Sequence, residues 1–346
     1  MGKSVTIILG NGFTIDFLNF LGTSGINVSK IDVSNLFKNG ENVPWPANDM
    51  PGFLSYKHCP NLWTLGARPF LEKNEASDLI EDIITCSNSY FKTWGLKRRD
   101  FYNNNSPIYI QANAELIAYL YCLFIYYDSL LSFDKSHILN WGWSKYFLNL
   151  YNDPEITAVH IVTLNYDIWL ERILKELNII FNIACFGKTN SKFQIYKPHG
   201  SISFQHKKPL KDKIAYGIRV IDPMPELDIS NFSVEYTGLK PCNLVCALIP
   251  PAGDSNRLSY KWSECIKQDI KEKVQKLNKE DELIICGISY WHVDRLEIDS
   301  ILTEITPELD CIKIINPYPP HSLNAVITTL FKNVIFYTHC DNLGDC

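Results

Sequence analysis

The sequence contains no C-x-x-C pair among its eleven cysteines. The nearest spacing is that of Cys242 and Cys246, which have three residues between them and no second pair elsewhere. Because structural zinc sites use tightly spaced pairs of soft ligands, this spacing argues against a zinc module. The odd number of cysteines and the lack of a signal-peptide pattern predict reduced thiols in the cytosol.

The chain also lacks an excess of basic residues over acidic ones. The chain has 33 Lys and Arg residues against 38 Asp and Glu residues, which gives a formal net charge of −5. Such a balance provides no basic surface to attract a phosphate backbone, so direct nucleic-acid binding is not expected.

A long uninterrupted apolar run is missing as well. The longest apolar stretch, Leu116 to Phe133, contains Asp128 and is rich in tyrosine. It is short and polar for a membrane span, and a buried helix explains it better. With 46% hydrophobic and 21% charged residues among 346, the composition predicts a globular cytoplasmic protein without membrane attachment.

What the chain does contain is an alternation of β-prone runs and helical patterns. Strands separated by helices of this length predict a parallel sheet. The expected strands are 5–9, 159–163, 180–183, 193–197, 244–249, 283–286, 312–315 and 334–337. The expected helices are 13–20, 77–91, 111–131, 137–151, 168–177 and 260–277.

The alternation is interrupted after the first strand and helix. From about Gly22 to Pro107 the sequence is rich in Pro, Asn, Gly and aromatic residues, with helical patterns among and after them. We therefore predict an α/β fold: a Rossmann-like parallel sheet with helices on both faces and a large, mostly helical insertion. The sheet domain would comprise residues 1–24 and 155–346, and the insertion residues 25–154.

Two polar patterns follow expected strands. Thr163-Leu164-Asn165-Tyr166-Asp167 comes at the end of strand 159–163, and His199-Gly200-Ser201 follows strand 193–197. Because ligands of open α/β sheets bind outside the carboxyl ends of the strands, Asn165, Asp167 and His199 are candidate catalytic residues. Asp167 has an alternative role, since short acids often accept backbone N–H groups at a helix start.

Gly10-Asn11-Gly12 directly follows the first expected strand. Such a turn lets backbone amides approach a phosphate at the positive end of the next helix. Because Ile15 stands where the G-x-G-x-x-G motif has its third glycine, a purely structural turn is a competing interpretation. Two further polar strand ends are Gly287-Ile288-Ser289 and Asn316.

Taken in order, these segments resemble a known family. The motifs Gly-x-Gly-Phe-Thr, Thr-x-Asn-x-Asp, His-Gly-Ser, Gly-x-Ser and Ile-Asn resemble the G-A-G-x-S, T-Q-N-x-D, H-G, G-T-S and I-N segments of the sirtuins. They look still more like the sirtuin-like NAD hydrolases of bacterial anti-phage defence, which have T-x-N-Y-D and K-x-H-G-S. The resemblance covers about residues 1–20 and 155–320.

The resemblance implies a role for each matching residue. Asn165 and Asp167 would act at the nicotinamide ribose, and His199 would be the catalytic base. The remaining matches would line the NAD+ pyrophosphate, its riboses and its adenosine. These cofactor-binding candidates are Gly10, Asn11, Gly12, Thr14, Thr163, Gly287, Ser289 and Asn316.

The sequence departs from the sirtuin pattern in three places, one of which is Asn11, where the sirtuins have the alanine of G-A-G. The two zinc-binding C-x-x-C pairs of the deacetylases are missing, so no metal is expected and water would replace the acyl-lysine acceptor. The P-D-F-R segment that closes over nicotinamide is also missing after Thr14, and Arg68 is a candidate substitute for its arginine.

The resemblance therefore implies an NAD+ hydrolase that releases nicotinamide and ADP-ribose in abortive-infection defence. It would act as a homo-oligomer, controlled by a trigger or by a partner such as a HerA-type ATPase or a short Argonaute. Two alternatives stay open: a regulatory subunit that binds NAD+ or ADP-ribose without cleaving it, and an AbiH-type abortive-infection protein, suggested by the opening Leu-Gly-Asn-Gly-Phe.

Overall fold

The computed structural model describes residues 2–94, 106–187, 191–207, 226–239, 246–250, 259–290 and 295–343. The chain forms two compact units. The first, here called the sheet unit, comprises Met1–Val28, Ser132–Pro198 and Glu264–Cys346. The second, here called the helical unit, comprises Ser29–Leu131 and His199–Ser263.

The described residues contain strands and helices in alternation. The strands are β1 (Lys3–Leu9), β2 (Ile156–Thr163), β3 (Phe181–Ile183), β4 (Phe193–Tyr196), β5 (Phe204–His206), β6 (Phe232–Val234), β7 (Glu282–Cys286), β8 (Cys311–Ile315) and β9 (Val334–Tyr337). The helices are α1 (Asn11–Thr23), α2 (Pro60–Thr64), α3 (Lys73–Trp94), α4 (Ile108–Leu130), α5 (Lys135–Ile138), α6 (Gly142–Asn152), α7 (Trp169–Glu176), α8 (Lys261–Val274), α9 (Arg295–Leu302) and α10 (His321–Leu330).

A seven-stranded sheet forms the core of the sheet unit. Its strand order is β3-β4-β2-β1-β7-β8-β9, and all neighbouring strands are parallel. The last five residues of β1 and all five of β7 are buried. Because helices flank such a sheet, its central strands appear in the sequence as continuous runs of Val, Ile and Leu. The predicted α/β, Rossmann-like fold is confirmed.

The direction in which strands are added reverses at β1. After β1 the chain builds β2, β3 and β4 on one side, and then β7, β8 and β9 on the other. Leu9 at the end of β1 pairs with Thr163 of β2 and with Cys286 of β7. The residues that follow these three strands therefore meet at one edge. In open α/β sheets ligands bind at such a switch point.

Two predicted elements differ from the structure. Of the expected strand 244–249, residues 244 and 245 lie outside the described residues, and 246–250 make only an isolated bridge between Leu248 and Gly200. The expected helix 137–151 is divided into α5 and α6. The division occurs because the backbone of Trp141 is extended, which places its indole against Phe13 and Phe17 of α1, with ring centroids 5.3 and 5.0 Å apart.

Helix α4 runs through the core of the helical unit. Tyr119 and Tyr127 on this helix are fully buried, and their hydroxyls donate to the carbonyls of Leu36 and Asp32. Over the described part of the chain, α4 is the one helix long and apolar enough to cross a membrane. Because 67% of its most apolar window is buried inside the protein, the helix has the character of a core element, as the sequence predicted.

The two units do not coincide with the predicted domains. Helices α5 and α6, assigned from sequence to the insertion, belong to the sheet unit, and residues 199–263 belong to the helical unit. The aromatic contacts between Trp141 and α1 explain the first difference, because they join the segment before β2 to the first helix of the sheet.

Candidate functional site

The turn between β1 and α1 contacts the end of β7 through glycine. A Cβ atom on Gly12 would lie 2.4 Å from the Cα atom of Gly287. Gly287 also has a positive φ of 62°, which side chains disfavour. Gly12 and Gly287 therefore let two backbones touch at the switch point of the sheet.

The backbone amides of this turn already have partners. Gly10 N donates to Cys286 O at 2.9 Å, Gly12 N donates to Gly287 O at 3.0 Å, and Phe13 N donates to Gly10 O at 3.1 Å. These hydrogen bonds are the ones a structural turn requires. Asn11 is exposed at the start of α1. A phosphate-binding role for this turn stays a prediction.

Asn165 lies beside the same turn and is held by its amide nitrogen. Its Nδ2 atom donates to Gly10 O at 3.1 Å and to Thr14 Oγ1 at 2.9 Å, and its backbone N donates to Thr163 Oγ1 at 3.3 Å. Its Oδ1 atom makes no hydrogen bond to any described residue, and the side chain is only partly buried. Asn165 thus presents a fixed hydrogen-bond acceptor beside the β1–α1 turn.

Thr14 connects Asn165 to Asp167. The Thr14 hydroxyl accepts from Asn165 and donates to Asp167 Oδ2 at 2.9 Å, while Asp167 Oδ1 accepts from Trp169 N at 3.0 Å. Thr14 and Asp167 are buried. The helix-start alternative for Asp167 is present, because its carboxylate binds a backbone N–H at the start of α7. The carboxylate also orients the hydroxyl that holds Asn165, and a catalytic role for Asp167 stays a prediction.

A buried lysine and glutamate lie behind Asp167. Lys197 Nζ donates to the backbone carbonyl of Asp167 and forms an ion pair with Glu171 Oε1 at 2.8 Å. The side chains of Lys197 and Glu171 are 1% and 0% exposed. Within the described structure, Glu171 Oε2 has no hydrogen-bond partner. Sequence reasoning did not propose either residue for the site. The position of Lys197 directly after a strand, two residues before His199, is the signal that could have found it.

The charges around Asp167 act in opposite directions. Burial raises the pKa of its carboxyl above the usual 3.8, and Glu171 acts in the same direction. The Lys197 ammonium and the hydrogen bonds from Trp169 and Thr14 lower this pKa. Because burial is the largest effect, the pKa of the Asp167 carboxyl is higher than that of an exposed aspartate.

The polar residues after β7 and β8 have separate surroundings. Ser289 is exposed. Asn316 Nδ2 donates to Ile288 O at 3.3 Å, and its Oδ1 accepts from Tyr318 N at 3.0 Å. The Asn316 side chain therefore stabilises the connections after two adjacent strands.

His199 and Arg68 lie in the helical unit. The His199 side chain is buried, and its carbonyl accepts from Ile249 N at 2.9 Å. Gly200 has a φ of 84°, and a Cβ atom there would lie 1.7 Å from Ala247 O, so only glycine fits this turn. Arg68 Nη1 donates to Trp63 O and Ala67 O at 2.6 and 2.8 Å. These contacts give Arg68 a role at the end of α2.

The structure thus brings together seven of the candidates, which are Gly10, Gly12, Thr14, Thr163, Asn165, Asp167 and Gly287. Across the described ranges, no group of three or more His, Cys, Asp or Glu residues is placed to hold a metal ion. No protein-family model matches this chain, and no curated protein matches it.

Proposed function

We propose that the chain is an NAD+ hydrolase that cleaves the nicotinamide–ribose bond to give nicotinamide and ADP-ribose. The proposal joins the sirtuin-like order of motifs to the position of Asn165 at the switch point of the sheet. The observation that carries it is the fixed Asn165 side chain, whose donors bind Gly10 and Thr14 and whose Oδ1 makes no hydrogen bond to a described residue.

Cleavage of the nicotinamide–ribose bond requires a catalyst mainly to position the reacting groups. Nicotinamide leaves from a cationic form, so its departure needs no general acid, and the transition state has oxocarbenium character as in other glycoside cleavages. An acceptor fixed by two hydrogen bonds can hold a ribose hydroxyl or the attacking water in one orientation. Asn165 is suited to that role, because Thr14 and Gly10 prevent rotation of its amide.

Thr14 and Asp167 are proposed as positioning residues. The Asp167 carboxylate orients the Thr14 hydroxyl, which then accepts from Asn165. Any electrostatic effect of Asp167 on a developing positive charge would depend on its protonation. The role of His199 as general base rests on the resemblance alone, as do the roles of Ser289 and Asn316.

The cellular role is proposed on the same basis. NAD+ depletion is harmful to the cell that performs it, so activity would be controlled by a trigger, by homo-oligomerisation, or by a partner such as a HerA-type ATPase or a short Argonaute. A cytoplasmic location is part of this proposal.

The test is to incubate the purified full-length protein with NAD+ and to measure free nicotinamide by chromatography. We expect Asn165→Ala to lower the rate by at least about 100-fold, whereas Asn19→Ala, an exposed change on α1, should leave it unchanged. His199→Ala tests the general base separately. Tight ADP-ribose binding without nicotinamide release would favour the binding-only alternative, and the absence of both would refute the proposal.

A further inference from the structure

Two cysteines of the sheet unit have their sulfur atoms in contact. Cys185 Sγ and Cys265 Sγ are 3.4 Å apart, although the residues are separated by 80 positions in the sequence. The Cys185 thiol also faces the Cys265 carbonyl, at 3.6 Å. Both are free thiols; Cys265 is exposed and Cys185 is half-buried.

The backbone at Cys185 is arranged to make this contact. Cys185 follows β3, the edge strand of the sheet, and has a positive φ of 68°. A residue with a side chain adopts this conformation at an energetic cost, which the surrounding structure must offset. Ala184 N donates to Ile195 O at 2.9 Å, so the turn is tied to β4. Cys265 lies on α8, a regular helix that fixes the second sulfur.

We propose that Cys185 and Cys265 are a peroxide-sensitive pair that forms a reversible disulfide. The oxidant belongs to the class of hydroperoxides, with hydrogen peroxide as the simplest member. This inference is independent of the NAD+ proposal, because it rests only on the two thiols and their surroundings.

The reaction balances in two steps. The sulfur of Cys265 attacks one peroxide oxygen, the O–O bond breaks, and Cys265 becomes a sulfenic acid while one water leaves. The sulfur of Cys185 then attacks the Cys265 sulfur, the S–O bond breaks, and the hydroxyl leaves as a second water with the proton of Cys185. Two thiols lose two electrons in total, and one peroxide is reduced to two waters.

The surroundings of the two cysteines favour a different role for each of them. Cys265 meets the oxidant first because it is the exposed thiol. Burial, Cys265 and Asp269 raise the pKa of Cys185 to about 12, so Cys185 stays a thiol until its partner has been oxidised. The sulfurs need to move closer by little more than one ångström to reach the usual bond length of about 2.05 Å.

The disulfide would join the turn after β3 to α8 within the sheet unit. It would close a long loop of the chain and so restrict the unfolded state. The oxidised protein should therefore unfold at a higher temperature than the reduced protein.

The experiment counts thiols in the full-length protein. Reduced and peroxide-treated samples are denatured and labelled with N-ethylmaleimide, and peptides are mapped by mass spectrometry. Among eleven cysteines, we expect eleven labels before oxidation and two fewer afterwards, with the lost pair mapped to Cys185 and Cys265 as one linked peptide. Dithiothreitol should restore all labels and lower the unfolding temperature to that of the reduced sample.

Variants decide the assignment. Cys265→Ser and Cys185→Ser should each abolish the linked peptide and the gain in unfolding temperature, whereas Cys86→Ser, which removes another exposed thiol, should leave both. Cys265→Ser changes an exposed side chain and should fold normally. Retention of all labels in the oxidised wild type, or linkage between other cysteines, would overturn the proposal.

Discussion

The hydroxyl of Thr14 donates to the carboxylate of Asp167 across 153 residues of sequence. The bond joins helix α1, which follows β1, to the turn between β2 and α7. The same hydroxyl accepts from Asn165 at 2.9 Å, so one oxygen atom connects the three side chains. Because a hydroxyl has one donor hydrogen and two acceptor lone pairs, both contacts can form at once, and each fixes the orientation of the other.

Thr14→Val should remove the hydroxyl from this network while keeping the shape of the side chain. Valine keeps the branched shape but removes the hydroxyl that donates to the buried Asp167 Oδ2, and it leaves Asn165 Nδ2 with Gly10 O as its remaining acceptor. Loss of the partner of a buried carboxylate oxygen costs about 1–3 kcal/mol. We expect a lower free energy of unfolding in urea and a further loss of any NAD+ cleavage.

Two controls accompany this variant. Thr14→Ser retains the hydroxyl and should recover most of the stability and activity, whereas Thr23→Val, on the exposed end of α1, should change stability by less than about 0.5 kcal/mol. A Thr14→Val protein as stable and active as wild type would show that the hydroxyl has no positioning role.

Lys197→Met should be strongly destabilising. It leaves the fully buried Glu171 carboxylate without its ion-pair partner, and breaking such a pair costs about 3–5 kcal/mol. The double variant Lys197→Met with Glu171→Leu removes both charges and should recover much of this loss. Urea denaturation of the four proteins in the cycle measures the coupling between the two side chains.

The matched control for that cycle is Lys279→Met. Its ion pair with Asp310 is 3.8 Å long and exposed, so we expect a change of less than about 1 kcal/mol. A Lys197→Met variant no less stable than Lys279→Met would contradict the importance of the buried pair.

Gly12→Ala tests the close approach of the α1 backbone to Gly287, and Gly22→Ala on the same helix is its control. The new Cβ atom at position 12 would lie 2.4 Å from Gly287 Cα, whereas at position 22 its nearest neighbour is Val28 Cγ2 at 3.4 Å. We expect Gly12→Ala to lose at least about 2 kcal/mol through overpacking. Gly22→Ala should be neutral or stabilising by up to about 1 kcal/mol. Thermal unfolding followed by circular dichroism distinguishes the two, and equal unfolding temperatures would refute the tight packing.

Stability should fall with acid because of His160. Burial lowers the pKa of this histidine from 6.5 to about 4, and Lys273 acts in the same direction. Between those values the unfolded chain binds a proton that the folded chain does not, so the free energy of unfolding decreases as the pH falls through this window. From pH 7 to pH 5 this group should account for a loss of about 2 kcal/mol.

His160→Gln should remove this contribution. Glutamine can still form a hydrogen bond with the Tyr196 hydroxyl, which lies 3.1 Å from His160 Nδ1, but it does not titrate. The variant should therefore lose less stability than wild type between pH 7 and pH 5 in urea titrations. An identical pH dependence of both proteins would show that His160 protonates normally in the folded state.

The sheet was predictable from the sequence because its signal is local. Seven expected strands match strands of the parallel sheet, since each buried strand is a continuous run of β-branched and aliphatic residues next to a turn. The helix expected over 137–151 was less accurate, because Trp141 interrupts it for the sake of aromatic contacts with Phe13 and Phe17, which are distant in the chain.

The candidate site was predictable only in part. Asn165 and Asp167 were found from their place after a strand, and that place follows from local pattern. The link through Thr14 and the buried pair Lys197 and Glu171 were not found, because a lysine or glutamate in a sequence is usually exposed. Only the fold brings these charges together and removes water from them.

By itself, the sequence determined the alternation of strands and helices and the polar residues that follow the strands, since both depend on residues that are near one another in the chain. The tertiary structure decided what those residues do. It placed Gly12 against Gly287, and it paired two amides of the β1–α1 turn with the carbonyls of Cys286 and Gly287. It also left Asn165 Oδ1 without a partner among the described residues. These outcomes depend on contacts between segments that are distant in the sequence, and such contacts form only when the strands assemble on both sides of β1.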